Sequence, residues 1–344
     1  MVQFVGVKNV VRWVQGKGAE SILAELGTYL EQDFARWPMF DLDPRVASHS
    51  EVGVIELMPT SDGELYTFKY VNGHPGNPAK GLQTVTAFGV LADVASGYPL
   101  MVAEMTVLTA LRTAATSAMV AKLLARPDSQ VMGMIGTGSQ AEFQALAMRG
   151  RLGINSLRVF DTDPEAMQKF VRNLTPMGFD IYVAESAADA VRGADVITTC
   201  TADKTNATVL MSEWIGEGVH INAIGGDCPG KTELDPAILH RGTVFVELPE
   251  QTRIEGEIQK QDADFPVTEL WQVMGGQAAG RTSDTQITIF DSVGFAIEDF
   301  SVLRYVRDAV GNTEFASDID LVADPEDPKD LFGLFEGSNA PVPA

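Results

Sequence analysis

Between residues 19 and 36 apolar side chains recur every third or fourth position. Ile22, Leu23, Leu26, Leu30 and Phe34 form one stripe, which predicts a helix with a single buried face. After Trp37-Pro38 the period shortens. Val52 to Leu57 and Leu65 to Tyr70 read as strands on either side of the turn-rich run Thr60-Ser61-Asp62-Gly63-Glu64. A hairpin closing across Thr60 and Leu65 would set Glu56 opposite Lys69. Leu82 to Ala92 and Tyr98 to Glu104 are further extended segments, separated by Ser96-Gly97. Residues 1 to about 105 therefore read as a helix followed by an antiparallel meander.

The texture then changes again. A helical stretch from about Thr106 to Ala125 stops at Arg126-Pro127, and short apolar runs begin to alternate with helical patterns. Strands are expected at 131–135, 157–161, 180–184, 195–199, 219–224, 243–247 and 286–290, the alternation of a parallel sheet with crossover helices. A last helix from about Val293 to Val310 carries Ala296, Phe300, Leu303 and Val306 on one face. Beyond Gly311, eight acidic residues face a single Lys329, with prolines at 325, 328, 341 and 343. Most of this reads as a solvated tail, with Leu331, Phe332, Leu334 and Phe335 the part expected to dock.

Length and charge narrow the function. At 344 residues and 45% hydrophobic, the chain can build two domains with sizeable cores. Its net charge of −22 would repel nucleic-acid backbones and anionic membranes, so neither is expected as a partner. A few basic residues gathered in one pocket could still bind a small anion. Two cysteines, Cys200 and Cys228, give no disulfide framework and fit a reducing compartment. The start, MVQFVGVKNV, lacks the pattern of a signal peptide, and there is no unbroken apolar run of about 18 residues. A soluble cytoplasmic protein is expected.

One motif carries chemistry. The 131–135 strand runs into Gly136-Thr137-Gly138-Ser139-Gln140-Ala141 and then a helical pattern. In this G-x-G-x-x-A setting, Gly136 permits the tight turn, Gly138 lets the backbone approach a pyrophosphate, and Ala141 lets helix and strand pack closely. The following strand ends at Asp161, where a carboxylate would take the ribose hydroxyls; it could also be a helix cap before Asp163-Pro164. Asp161-Thr162-Asp163 would repel a 2′-phosphate, so NAD is favoured over NADP. The fold class is thus α/β, a Rossmann-type doubly wound parallel sheet with a second α+β domain. After the 219–224 strand, Gly225-Gly226-Asp227 lies where open α/β sheets bind ligands, although Asp227 could instead cap a helix near Leu234. Thr199-Cys200-Thr201 is a second candidate lining.

Arg45, Lys69 and Arg112 come from three different elements and could together bind a substrate carboxylate. Lys69–Glu56 could equally be an ordinary cross-strand ion pair, and Arg112 a solvated helix residue. His49, His74, His220 and His240 show no metal-ligand spacing, and His220 reads as a core histidine. No metal is expected.

The runs Lys69-Tyr70-Val71-Asn72-Gly73-His74-Pro75, Leu111-Arg112-Thr113-Ala114-Ala115-Thr116-Ser117-Ala118, the GTGSQA turn and Gly225-Gly226-Asp227-Cys228-Pro229-Gly230-Lys231-Thr232-Glu233 together resemble the ornithine cyclodeaminase/μ-crystallin family, most closely its bacterial cyclodeaminases. The resemblance covers nearly the whole chain and is weakest in the acidic tail. It implies a substrate and dimerisation domain of residues 1–115 with 311–344, an NAD-binding domain of 116–310, and a homodimer. It implies a carboxylate clamp of Arg45, Lys69 and Arg112, Glu56 near the substrate amino group, and Asp227 as the catalytic acidic residue, suited to that role if it is buried. Thr84, Arg112, Thr113, Ser139, Gln140, Asp161, Thr201, Lys231, Ser292 and Val293 fall where the family lines NAD or substrate, Val293 on the substrate side. The implied reaction is redox-neutral conversion of L-ornithine to L-proline and ammonia, with hydride lent to NAD and returned. The same fold hosts lysine cyclodeaminases, ketimine reductases and alanine dehydrogenases, and a non-catalytic NAD-binding carrier is the alternative of another class.

Overall fold

The computed structural model describes residues 1–202 and 207–336; residues 337–344 of the tail, with Pro341 and Pro343, lie outside them. In chain order the first part runs β1 (Val2–Val5), α1 (Val7–Lys17), α2 (Ala19–Ala35), β2 (Val46–Ser50), β3 (Gly53–Ser61), β4 (Leu65–Gly73), β5 (Val85–Asp93), β6 (Pro99–Glu104) and α3 (Thr106–Leu124). The second runs β7 (Val131–Ile135), α4 (Ala141–Leu152), β8 (Ser156–Phe160), α5 (Pro164–Leu174), β9 (Asp180–Val183), α6 (Ala187–Val191), β10 (Val196–Thr199), β11 (His220–Ala223), β12 (Gly242–Val246), α7 (Pro249–Glu255), β13 (Thr268–Glu269), α8 (Leu270–Met274) and β14 (Ile287–Asp291). The chain then returns through α9 (Ala296–Val310), β15 (Ser317–Ile319) and α10 (Gly333–Glu336).

Two sheets result. The first, ordered β15-β1-β6-β5-β4-β3-β2, contains the expected meander. It also contains three short strands that sequence reading missed: β1, parallel to β6, and the edge strands β2 and β15. The second, ordered β13-β12-β14-β11-β10-β7-β8-β9, is parallel throughout. Its strand order reverses between β7 and β10, which opens a crevice at their carboxyl ends. The stripe on α2 is fully inward, and α2 packs on α3, α4 and α9. α3 is long and apolar enough to cross a membrane by composition, but 72% of that stretch is buried inside the protein.

Two expectations need correction. The hairpin register differs by two residues, because the turn is tighter than expected. The Asp62 N–H donates to Leu65 O at 3.2 Å, and Asp62 Oδ1 accepts from the N–H groups of Glu64 (3.0 Å) and Leu65 (2.8 Å). Gly63 takes φ +88°, open to glycine at no steric cost. Glu56 therefore faces Val71, and Lys69 faces Met58. A shift of two leaves every side chain on its own face, so Glu56 and Lys69 both remain buried on the inner side. The tail is the second correction. What docks is Ser317–Ile319, as β15 on β1, while Leu331, Phe332, Leu334 and Phe335 stay exposed.

The inner face of the first sheet is covered by α3 and α9. Its outer face carries Ile55, Leu57, Phe68, Tyr70, Phe88, Val90, Leu100 and Val102, half-buried or exposed and without a charge among them. Tyr70 and Phe88 stack there at 5.2 Å.

His220 is the core histidine expected, fully buried with Nδ1 2.9 Å from Thr288 Oγ1 and Nε2 3.1 Å from Asn222 Oδ1. Burial pushes its pKa down to about 3, so the folded state keeps it neutral while the unfolded chain takes up a proton below about 6.5. Its contribution is full above pH 6.5 and is lost as pH falls toward 3. Replacing His220 with Gln should flatten the acid limb of stability by about one proton, or about 1.4 kcal/mol per pH unit, in urea unfolding between pH 4 and 7.

Candidate functional site

The glycine turn sits where β7 and β10 meet. Gly136 has φ +99°, and a Cβ there would lie 2.7 Å from the Cys200 carbonyl oxygen, so the position needs glycine twice over. A Cβ on Gly138 would meet nothing within 4 Å, which leaves the space in front of α4 open. Ser139 is exposed at the turn, Gln140 directly precedes α4 with its carbonyl accepting from Gln144 N, and Ala141 is buried. Asp161 does not cap α5; Asp163 does, accepting from Glu165 N at 2.9 Å. Asp161 instead accepts from Thr137 N at 2.6 Å and Asp163 N at 3.0 Å, which holds its carboxylate over the turn. A tight turn, free helix N–H groups and a carboxylate at the β8 end fit the pyrophosphate and ribose of a dinucleotide. Cys200 donates from Sγ to Gly136 O at 3.2 Å, and burial pushes its thiol up, which makes it a lining group and not a nucleophile.

The Gly225–Lys231 loop closes the other side. Asp227 does not cap the segment near Leu234, since Asp235 caps the short turn that follows. Nor is it buried: its side chain is 56% exposed and pairs with Lys231 Nζ at 3.4 Å. Lys231 is buried and also donates to Thr201 O at 2.9 Å. Burial works against its charge, but Asp227 and Glu233 outweigh it and hold its pKa up. Gly225 is required by Glu233, whose carboxylate lies 2.0 Å from where a Cβ would stand. Glu233 in turn accepts from Thr201 N at 3.0 Å and from Thr201 Oγ1, fixing the strand end that lines the crevice.

The three cations converge on one place. Arg45 is surrounded: Nη1 lies 3.1 Å from Glu56, Nε 3.1 Å from Glu255, and Nη2 donates to the carbonyls of Val293 and Gly294 at 2.7 Å each. Lys69 Nζ lies 2.8 Å from Asp299. Arg112 Nη1 lies 2.5 Å from Glu298 and its Nε 3.1 Å from Asp299. All three cations are buried or nearly so, and burial lowers Lys69 to about 8 even beside Asp299. Among the described residues no hydrogen bond engages Arg112 Nη2, the free end of the guanidinium fork. Ser292 donates to Glu247 at 2.6 Å beside Val293. Thr113 lies next to Arg112 on α3, and Thr84 lies in the loop before β5, where its carbonyl accepts from His74 N at 2.8 Å.

Sequence reading missed most of the acids. Glu247, Glu255, Glu257, Asp291, Glu298 and Asp299 are all buried at strand ends or in α7, α9 and the turn after α7. Burial, and then the Glu298 carboxylate, pushes Glu247 up, and it accepts hydrogen bonds from Ser292 Oγ and Gly294 N. Burial likewise lifts Glu255 and Glu257 to about 7.

Comparison with known proteins places this arrangement. The profile of the ornithine cyclodeaminase/mu-crystallin family matches residues 7–314. A protein of Agrobacterium fabrum named ornithine cyclodeaminase is 61% identical over 334 residues, 97% of this chain and 94% of its own length. The solved structure of a lysine cyclodeaminase, described with recognition of L-lysine, L-ornithine and L-2,4-diaminobutyric acid, superposes with a TM-score of 0.90 at 32% identity, covering 97% of this chain and 99% of that one. An archaeal alanine dehydrogenase dimer with bound NAD gives 0.81 at 35% identity, covering 89% and 95%.

Replacing Gly136 with Ala should weaken NAD⁺ binding by about a hundredfold, since the added Cβ forces the turn off Cys200. Titration of intrinsic fluorescence, with the unfolding midpoint as control, measures it; unchanged affinity would sink this reading of the turn.

Proposed function

The chain belongs to the ornithine cyclodeaminase/mu-crystallin family, and we propose that it is an ornithine cyclodeaminase, converting L-ornithine to L-proline and ammonia. What supports the reading is a buried cation cluster tied through Arg45 to the segments after β12 and β14, on the parallel sheet whose strands β7 and β11 lead into the glycine turn and the Asp227 loop. Gly136–Gln140 and Asp161 would hold NAD, which would supply a reversible hydride acceptor for the substrate α-hydrogen.

The chain's own residues do the rest. Arg112 Nη2, with Lys69 and Arg45, holds the substrate carboxylate and fixes Cα, where orientation has most leverage. Glu56, on Arg45, is placed to receive the α-ammonium. An ammonium must be neutral before its carbon can lose hydride, and Asp227 takes that proton. Lys231 Nζ, 3.4 Å away, is the cation beside Asp227. With NAD bound as hydride acceptor and donor, the resulting α-imine would be attacked by the δ-nitrogen once its ammonium has released a proton to solvent, ammonia would leave with the proton returned by Asp227, and reduction of the ring imine would give proline. Thr84, Thr113, Thr201, Ser292 and Val293 line the space around these groups.

We assign residues 1–115 with 311–344 to substrate binding and pairing and 116–310 to NAD, with α9 packed at their junction against β4 and β5. The uncharged outer face of the first sheet is the surface on which two copies pair. The acidic composition and the absence of a disulfide between Cys200 and Cys228 support a cytoplasmic setting.

Incubation with NAD⁺ and L-ornithine should give ammonia and proline in equal amounts with no build-up of NADH. NADH rising with ammonia would identify an amino-acid dehydrogenase on the same fold, and turnover of L-lysine alone a longer pocket. Asp227→Asn should lower kcat by at least about a hundredfold while NAD⁺ affinity stays within about threefold. Phe88→Glu should convert the dimer to a monomer in light scattering behind a sizing column.

A further inference from the structure

Glu255 lies at the end of α7 with its side chain 5% exposed. Its Oε2 stands 3.1 Å from Arg45 Nε, yet neither atom makes a hydrogen bond, because the N–H is not aimed at the oxygen. The contact is one of charge alone. Elsewhere on Arg45, Glu56 lies on Nη1 and two carbonyls accept from Nη2. This one guanidinium therefore lies against two buried carboxylates. Lys69 and Arg112, by contrast, are balanced by Asp299 and Glu298.

A surplus of negative charge in a buried place is costly unless a cation joins it. A monoamino acid brings one ammonium, which Glu56 receives. A diamino acid brings a second, several bonds from the first, and a further carboxylate with a free acceptor would stabilise it. Asp227 is taken up with the proton chemistry and with Lys231. Glu255 is the remaining acid: it is buried, its Oε2 has no hydrogen bond among the described residues, and a cation beside it would favour the carboxylate over the protonated form.

We propose that Glu255 receives the distal ammonium of the substrate and thereby sets the preference for diamino over monoamino acids. This rests on the ornithine reading above. The competing role is that of a counter-ion orienting Arg45, and the two roles separate in one experiment. Glu255→Gln keeps an oxygen for Arg45 Nε but removes the charge. L-Norvaline has the carboxylate, α-amine and chain length of ornithine without the distal amine, so its inhibition constant reports the clamp alone.

For Glu255→Gln the KM for L-ornithine should rise roughly tenfold to a hundredfold, the range of a charge-assisted hydrogen bond, while the inhibition constant of L-norvaline changes less than about twofold. Equal weakening of both ligands would make Glu255 a support of Arg45 and overturn the proposal, as would no change in either. The NAD⁺ dissociation constant and the unfolding midpoint verify the fold. Should Glu255→Gln fail to fold, Glu255→Asp, which keeps the charge but withdraws it by one methylene, carries the same comparison. A wild-type protein that does not turn over ornithine would sink the functional reading instead, whatever the variants show.

Discussion

Asp299 is the anion on which the inner architecture depends. Standing in the first turn of α9, it neutralises Lys69 from β4 and Arg112 from α3, so one carboxylate joins the meander, the long buried helix and the returning chain. The helix N-terminus favours negative charge there. An ammonium and a guanidinium this deep would each cost several kcal/mol unpaired, so the sheet can hold its cations inward only because α9 covers it. Glu298 and Asp299, on Nη1 and Nε, fix the plane of the Arg112 guanidinium.

A second set of carboxylates shapes the parallel sheet's edge of action. Asp291, at the end of β14, accepts from the N–H groups of Glu257 and Ile258 at 2.8 and 2.9 Å. Glu257 accepts from those of Glu233 and Leu234 at 2.7 and 3.0 Å, and Glu233 from Thr201. Each acid thus ties the loop that carries the next, and the chain of bonds ends on the wall of the crevice. Backbone N–H donors satisfy these groups without adding charge, which is how a protein can bury so many acids in one region.

The elements were legible in sequence because their periods are regular. The α2 stripe, α3, and seven of the eight parallel strands follow from hydrophobic spacing alone, and the glycine turn announces itself between a strand and a helix. β13 and β15 span only two and three residues, too short for a period to show; β1 and β2 are as long as the parallel strands and were missed all the same. The β3–β4 register depended on whether Asp62 stayed in the turn or closed it, and its side-chain bonds to Glu64 and Leu65 decide that question only in three dimensions. The basic residues of the site carried a signal through the runs around them. Their acidic partners carried none: Glu255, Glu298 and Asp299 look like ordinary residues of helix ends, where acids are common, and nothing local marks them as buried. Asp227 reversed the expectation, its exposure set by a loop and not by the strand before it.

The pairing of Lys69 with Asp299 spans 230 residues, and β1 meets β15 across a still longer separation. During synthesis the meander emerges long before either partner exists. Its inward lysine and the arginine of α3 would then have no counter-ion, and the edge of β1 would stand open to other chains. The amino-terminal unit therefore cannot complete its sheet or its buried ion pairs until α9 and β15 have been synthesised.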